Sequence, residues 1–159
     1  PFNGHQSIFH LQPYAMKVYH QRWYVVGYLK EQEGIRNIAL DRILEMELTD
    51  DSFILPNDFD AEEYYAHTVG IFVNDKLKPQ KVVVRVFGVH VEYMRSLPFS
   101  QQEIKTEHKE YSDFEYQLCL TPELTSQLLA MGEKIEVMEP IGLREEIRKR
   151  LFAAINRYK

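Results

Sequence analysis

Cysteine is nearly absent from this sequence. A single Cys119 excludes an intrachain disulfide and any Cys-rich zinc site, and suits a reducing, cytoplasmic setting. No apolar run approaches the roughly 20 residues of a membrane span, and no signal peptide opens the chain. Glycine and proline number only 7 each, which excludes collagen-like and low-complexity chains. The signatures of common enzymes are missing too: there is no P-loop, no G-x-G-x-x-G, no G-x-S-x-G and no H-E-x-x-H. Acid is missing from one stretch, since Pro1–Lys30 contains no Asp or Glu. The chain opens on Pro1 rather than Met, and is expected to be part of something longer.

What remains is globular. Of 159 residues, 45% are hydrophobic and 27% charged, enough for one large domain or two small ones. A chain of this length buries roughly 70% of its unfolded surface and needs no metal or disulfide to hold it. The net charge of −5 argues by itself against a nucleic-acid partner. Its distribution argues differently: residues 1–43 sum to +2, 44–142 to −11 and 144–159 to +4. The acid-free first 30 residues also hold Phe2, Phe9, Tyr14, Tyr19, Trp23, Tyr24 and Tyr28, with His5, His10 and His20. A mild average hides a basic, aromatic end and an acidic middle.

From Ser7 to Leu48 the pattern is one of short strands. Tyr14–His20, Trp23–Leu29, Gly34–Leu40 and Ile43–Leu48 are rich in β-formers and joined by short polar turns. This predicts a small barrel or strongly bent sheet. In the second strand Trp23, Val25 and Leu29 point one way, and Arg22, Tyr24, Val26 and Tyr28 the other. Residues 57–79 read as a connection with a short helix over Ala61–Thr68, capped by Asp60 and ended by Gly70. Beyond it come a strand over Lys81–Phe87, a helical turn over Val89–Ser96 and a hairpin of Glu103–Lys109 with Asp113–Leu120. A helix follows from Thr121-Pro122 to Gly132, then a strand over Lys134–Met138. The last helix runs from Leu143 to Tyr158, its apolar stripe at Leu143, Ile147, Leu151 and Ile155. The order β-α-β-β-α-β-α predicts a ferredoxin-like unit with an added C-terminal helix. The fold class is therefore α+β: a barrel over 1–56, a connection over 57–79 and an αβ domain over 80–159.

No constellation here points to catalysis. His5, His10 and His20 lie five and ten residues apart on separate strands, a poor metal set, and no metal or cofactor is expected. Cys119 has no basic neighbour in sequence to activate it. Asp113, Glu115 and Glu110 read as hairpin solvation rather than an acid/base pair. The basic, aromatic end differs in kind, because Tyr and Trp on a small sheet can stack on bases while Arg contacts phosphate. For Trp23, Val25 and Leu29 the favoured reading is interior filling. Tyr24, Tyr28, Arg22 and His20 fit either a ligand surface or plain packing. Arg36 and Arg42 flank the strand ending at Leu40, where Asp41 or Glu45 could pair with a corner cation. The basic last helix reads as a solvated face.

The residues Pro13-Tyr14, Trp23-Tyr24-Val25-Val26-Gly27-Tyr28 and Ile35-Arg36-Asn37-Ile38-Ala39-Leu40-Asp41-Arg42-Ile43 resemble the WYL domain of bacterial transcription regulators, with Val25 in place of the third letter. The remainder resembles the C-terminal extension that commonly follows it: Val82-Val83-Val84-Arg85, Arg95-Ser96-Leu97-Pro98, and Leu128-Leu129 through Gly132 to Val137-Met138-Glu139-Pro140. Many members carry Arg where Ala39 stands, and Pro98-Phe99-Ser100-Gln101-Gln102 keeps only part of the family's turn after the proline.

The resemblance implies an Sm-like or SH3-like barrel that senses a ligand and relays it to an N-terminal helix-turn-helix, which this chain lacks along with the first barrel strand. Its implied ligands are single-stranded DNA or nucleotide-like molecules, and duplex DNA would be reached through the absent helix-turn-helix. The expected function is a ligand-sensing module of a cytoplasmic regulator, homodimeric and not an enzyme. The expected ligand surface comprises Tyr14, His20, Arg22, Tyr24, Arg36 and Arg42. A dimerisation scaffold with no small ligand is the alternative.

Overall fold

A computed structural model describes residues 6–100 and 102–159. The chain divides into two compact units, 1–61 and 62–159. It is α+β, with antiparallel sheets and helices.

The first unit is an antiparallel meander of β1 (Leu11–Tyr19), β2 (Arg22–Leu29) and β3 (Gly34–Ala39), in the order β1-β2-β3. β1 and β2 are joined by a two-residue turn in which His20 and Gln21 both have positive φ, 48° and 62°. Such turns match the twist of the strands they join. The expected barrel is not closed among the described residues. The fourth expected strand, Ile43–Leu48, is missing: a 3-10 turn over Leu40–Arg42 ends β3, and residues 43–56 form neither strand nor helix. Alternating Leu44, Met46 and Leu48 have the pattern of a strand but no sheet to bury it, and all three are exposed. Periodicity supplies a strand's side-chain pattern; the ladder must come from a neighbour.

The division between the units falls at the start of α1 (Ala61–Tyr65), a helix shorter than expected. The segment after it is tied down by backbone: Cys119 N–H donates to the His67 carbonyl at 2.8 Å, and Ile71 and Phe72 N–H donate to the Glu123 carboxylate at 3.0 and 2.9 Å. The elements then run β4 (Gln80–Phe87), α2 (His90–Ser96), β5 (Gln102–Glu107), β6 (Tyr111–Leu118), α3 (Pro122–Met131), β7 (Ile135–Glu139) and α4 (Ile141–Ile155). The β-α-β-β-α-β-α order is the one read from the sequence. The sheet order is β5-β6-β4-β7, with every neighbouring pair antiparallel.

One face of this sheet carries Val82, Val84 and Val86 beside Phe114, Tyr116 and Leu118. Met94 of α2, Leu124 and Leu128 of α3, and Leu143 and Ile147 of α4 pack on it as a single core. Thr121 caps α3 by accepting from Leu124 N–H at 3.2 Å. α4 departs from expectation: Leu143 and Ile147 are buried, but Leu151 and Ile155 are exposed, so the stripe outruns the core.

Candidate functional site

The hairpin end of the first sheet brings together several of the residues singled out above. In the β1–β2 ladder Tyr19 faces Arg22, Val18 faces Trp23 and Lys17 faces Tyr24; on the other side Tyr24 faces Ala39. The 3-10 turn after Ala39 therefore returns beside the start of β2, where Asp41 pairs with Arg22 at 3.6 Å. Both partners are half exposed, so the pair contributes at most about 1 kcal/mol. His20 is exposed at the turn, its ring edge-on to Tyr19 at 4.1 Å. Arg42 is exposed one residue beyond Asp41.

Residues opposite one another share a sheet face. Trp23 shares its face with Val18, and one row along Val25 lies beside Met16 and Ile38. Trp23 was expected inside, yet it is 53% exposed, and Met16, Val18 and Leu40 near it are exposed too. Tyr24, expected on the ligand face, is only 9% exposed. The central strand is covered on both faces over 24–27 and opens only at the hairpin. Three strands give a sheet two faces and a short hairpin end, and alternation alone does not tell which face is covered.

The other expected site residues lie elsewhere. Tyr14 sits at the bulge between Pro13 and Ala15, its ring 5.0 Å from Phe59 and 6.1 Å from Phe53. Arg36 lies opposite Gly27 and is engaged locally, donating to Gln32 Oε1 at 2.9 Å and to the Ile35 carbonyl at 2.8 Å. Gly27 is five residues along β2 from Arg22, or roughly 17 Å. His20, Arg22 and Arg42 thus share one end of the sheet, while Tyr14 and Arg36 lie towards the other.

Among the described residues no three His, Cys, Asp or Glu side chains stand close enough to hold a metal. His10 bonds Glu31 at 2.6 Å at the far end of β1 from His20, and His5 lies outside the described residues. Cys119 is buried, which pushes its thiol pKa up, the opposite of what a nucleophile needs. No helix among the described residues is long and apolar enough to cross a membrane.

Comparison with known proteins matches residues 2–48 to the WYL domain and 78–155 to the WCX domain. No curated protein matches the chain. Among solved structures it is similar to proteasome accessory factor B/C (PafBC) of Arthrobacter aurescens, at 18% identity and a TM-score of 0.42 over 98% of this chain. The chain spans 23% of the length of that structure. The two domain matches lie in succession and cover most of the sequence: the chain belongs to the WYL-domain family, with a WCX domain following its WYL domain.

Proposed function

We propose that this chain is the effector module of a bacterial transcription regulator. Its WYL unit binds a nucleic-acid or nucleotide-like anionic ligand and relays that event to a DNA-binding domain outside the chain. The module works in the cytoplasm as a homodimer and catalyses nothing. The observation that carries this reading is the meeting of Arg22, the Leu40–Arg42 turn and a half-exposed Trp23 at one end of the sheet. Guanidinium groups clasp phosphate with two parallel N–H donors, and an indole offers a stacking face to a base. An incoming phosphate displaces Asp41 from Arg22 at little cost, since that pair is weak.

Within the proposed surface of Tyr14, His20, Arg22, Tyr24, Arg36 and Arg42, we assign direct contact to His20, Arg22 and Arg42, with Trp23 as an added platform. Tyr24 supports the platform from within, and Tyr14 and Arg36 meet only a ligand long enough to run along the strand. The finer architecture belongs to the same reading. Residues 1–56 are the WYL unit, an Sm-like barrel completed by a strand beyond this sequence. Residues 57–79 are the connection, and 80–159 a ferredoxin-like extension.

A filter-binding titration with short single-stranded DNA at two salt concentrations tests the proposal. Arg22→Ala and Arg42→Ala each weaken binding and lower the salt slope by about 0.7 per lost phosphate contact. Absence of binding at low salt, or affinity unchanged by both substitutions, overturns it. A second reading, an interaction scaffold without a small ligand, is favoured by the exposed Met16, Val18, Trp23 and Leu40. It predicts that a protein partner, not an oligonucleotide, protects Trp23.

A further inference from the structure

The ladder sorts the basic residues of the first sheet by face. On β2, Arg22, Tyr24 and Val26 alternate with Trp23, Val25 and Gly27. Lys17 stands directly opposite Tyr24 on β1, and Ala39 stands opposite it on β3. Lys17, Tyr24 and Ala39 therefore form one row across all three strands, on the face that carries Arg22. Arg36 lies opposite Gly27, on the other face, and its guanidinium donates there to Gln32 and to the Ile35 carbonyl. A ligand that meets Arg22 meets Lys17 before it can meet Arg36.

The setting of Lys17 suits such a contact. Lys17 is half-buried, beside a covered Tyr24 and a covered Ala39. A lysine opposite a covered ring lays its methylene stem on apolar surface and keeps its ammonium at the margin, in water. Both strands that carry Lys17 and Arg22 are free of Asp and Glu, and Asp41, on the turn after Ala39, meets Arg22. Arg42 follows on that same turn. The three cations are thus strung from β1 to β3, two strand spacings or about 10 Å. A stacked nucleic-acid strand carries one phosphate per about 3.4 Å, so three or four phosphates cover that width.

We propose that Lys17 is a third phosphate contact beside Arg22 and Arg42, and that these cations take a short single strand across the sheet rather than along it. This deepens the ligand reading above and rests on it. Arg22 supplies the two-point clasp, whereas Lys17, a compact ammonium with rotatable donors, adds charge without fixing the orientation of the phosphate. Arg36 takes no part, because a strand reaching it has to run roughly 17 Å along the sheet and turn round its edge.

Filter binding to thymidine oligomers of two, four, six and ten nucleotides, each at two salt concentrations, tests it. Affinity rises up to the four- or six-nucleotide oligomer, and the longest gains only what its extra registers give. Lys17→Ala lowers the salt slope by about 0.7, as Arg22→Ala does, and weakens the six-nucleotide complex at least threefold with an unchanged circular-dichroism spectrum. Lys17→Arg restores the slope, and Arg36→Ala stays within twofold of wild type. Acetylation of the Lys17 amine, read by mass spectrometry, slows at least fivefold with the six-nucleotide oligomer bound. Lys30, paired with Asp51 at the far end of the hairpin, shows no such protection. That labelling decides the outcome if Lys17→Ala does not fold. Binding that depends on Arg22 and Arg42 but not on Lys17, with Lys17 unprotected, overturns this inference and leaves the ligand reading standing. Affinity that climbs through ten nucleotides and depends on Arg36 overturns the crossing direction. Absence of binding at low salt overturns both.

Discussion

Arg85 and Asp113 face each other across β4 and β6 and close a two-point ion pair, Nε to Oδ1 at 2.7 Å and the second donor to Oδ2 at 2.9 Å. The guanidinium also lies 4.1 Å from the Tyr111 ring centroid. This is the sheet face opposite the Val84–Phe114 core, and Asp113 is buried there. The Asp113 carboxylate holds the Arg85 pKa above its usual range, so the charge is fixed at every accessible pH. Asp113→Ala leaves a partly buried guanidinium without its partner and should cost about 2 kcal/mol in urea unfolding. Arg85→Lys keeps the charge but loses the fork, and should cost part of that stability.

Gly27 is set by close approach rather than by conformation. A Cβ there would lie 2.2 Å from the Gln12 carbonyl oxygen and 2.8 Å from Leu11 Cδ1. The oxygen belongs to backbone beside the β1 bulge and has no rotamer through which to yield. Gly27→Ala should therefore destabilise by about 2–3 kcal/mol, as overpacking does. The chevron arms of the variant, measured in urea, should still sum to the wild-type m-value, since one methyl group hardly changes the surface exposed on unfolding.

Local signals were legible wherever a residue's own chemistry decides the outcome. Thr121-Pro122 starts α3 and Gly132 ends it, and Phe114, Tyr116 and Leu118 alternate into the core as their spacing says. The family was legible from Trp23 through Ile43 because aromatic pair, glycine and arginine recur in order. What failed depends on neighbours. Leu44, Met46 and Leu48 have strand spacing without a partner strand, and Leu151 and Ile155 continue a helical stripe beyond the core that receives it. The candidate site divides in the same way: composition singles out Arg22, His20 and Arg42, but only pairing and burial separate an exposed Trp23 from a covered Tyr24.

That separation makes a test on one strand. Trp23 is the only tryptophan, so intrinsic fluorescence reports it alone. Its emission should be that of a wet indole, quenched freely by acrylamide, and Trp23→Ala should cost less than about 1 kcal/mol. Tyr24→Ala empties a covered position and should cost about 3 kcal/mol. Equal costs at the two positions would contradict the faces assigned here.

His10 and Glu31 close the other end of the β1–β2 hairpin. The Glu31 carboxylate accepts from the His10 ring at 2.6 Å and from its backbone N–H at 3.0 Å, and these bonds, the ring's first, hold Glu31 below its ordinary value of 4.5. A carboxyl depressed in the folded state stabilises the fold above its unfolded pKa and loses that contribution as pH falls through the folded one. Carboxyl carbon shifts followed by NMR should place the Glu31 midpoint below that of free glutamate. His10→Ala removes the ring but not the backbone donor, so the midpoint should rise only part of the way back. The same variant should flatten the fall of stability in the acid range just below the ordinary carboxylate pKa. A midpoint unmoved by His10→Ala would mean that the backbone donor alone sets it.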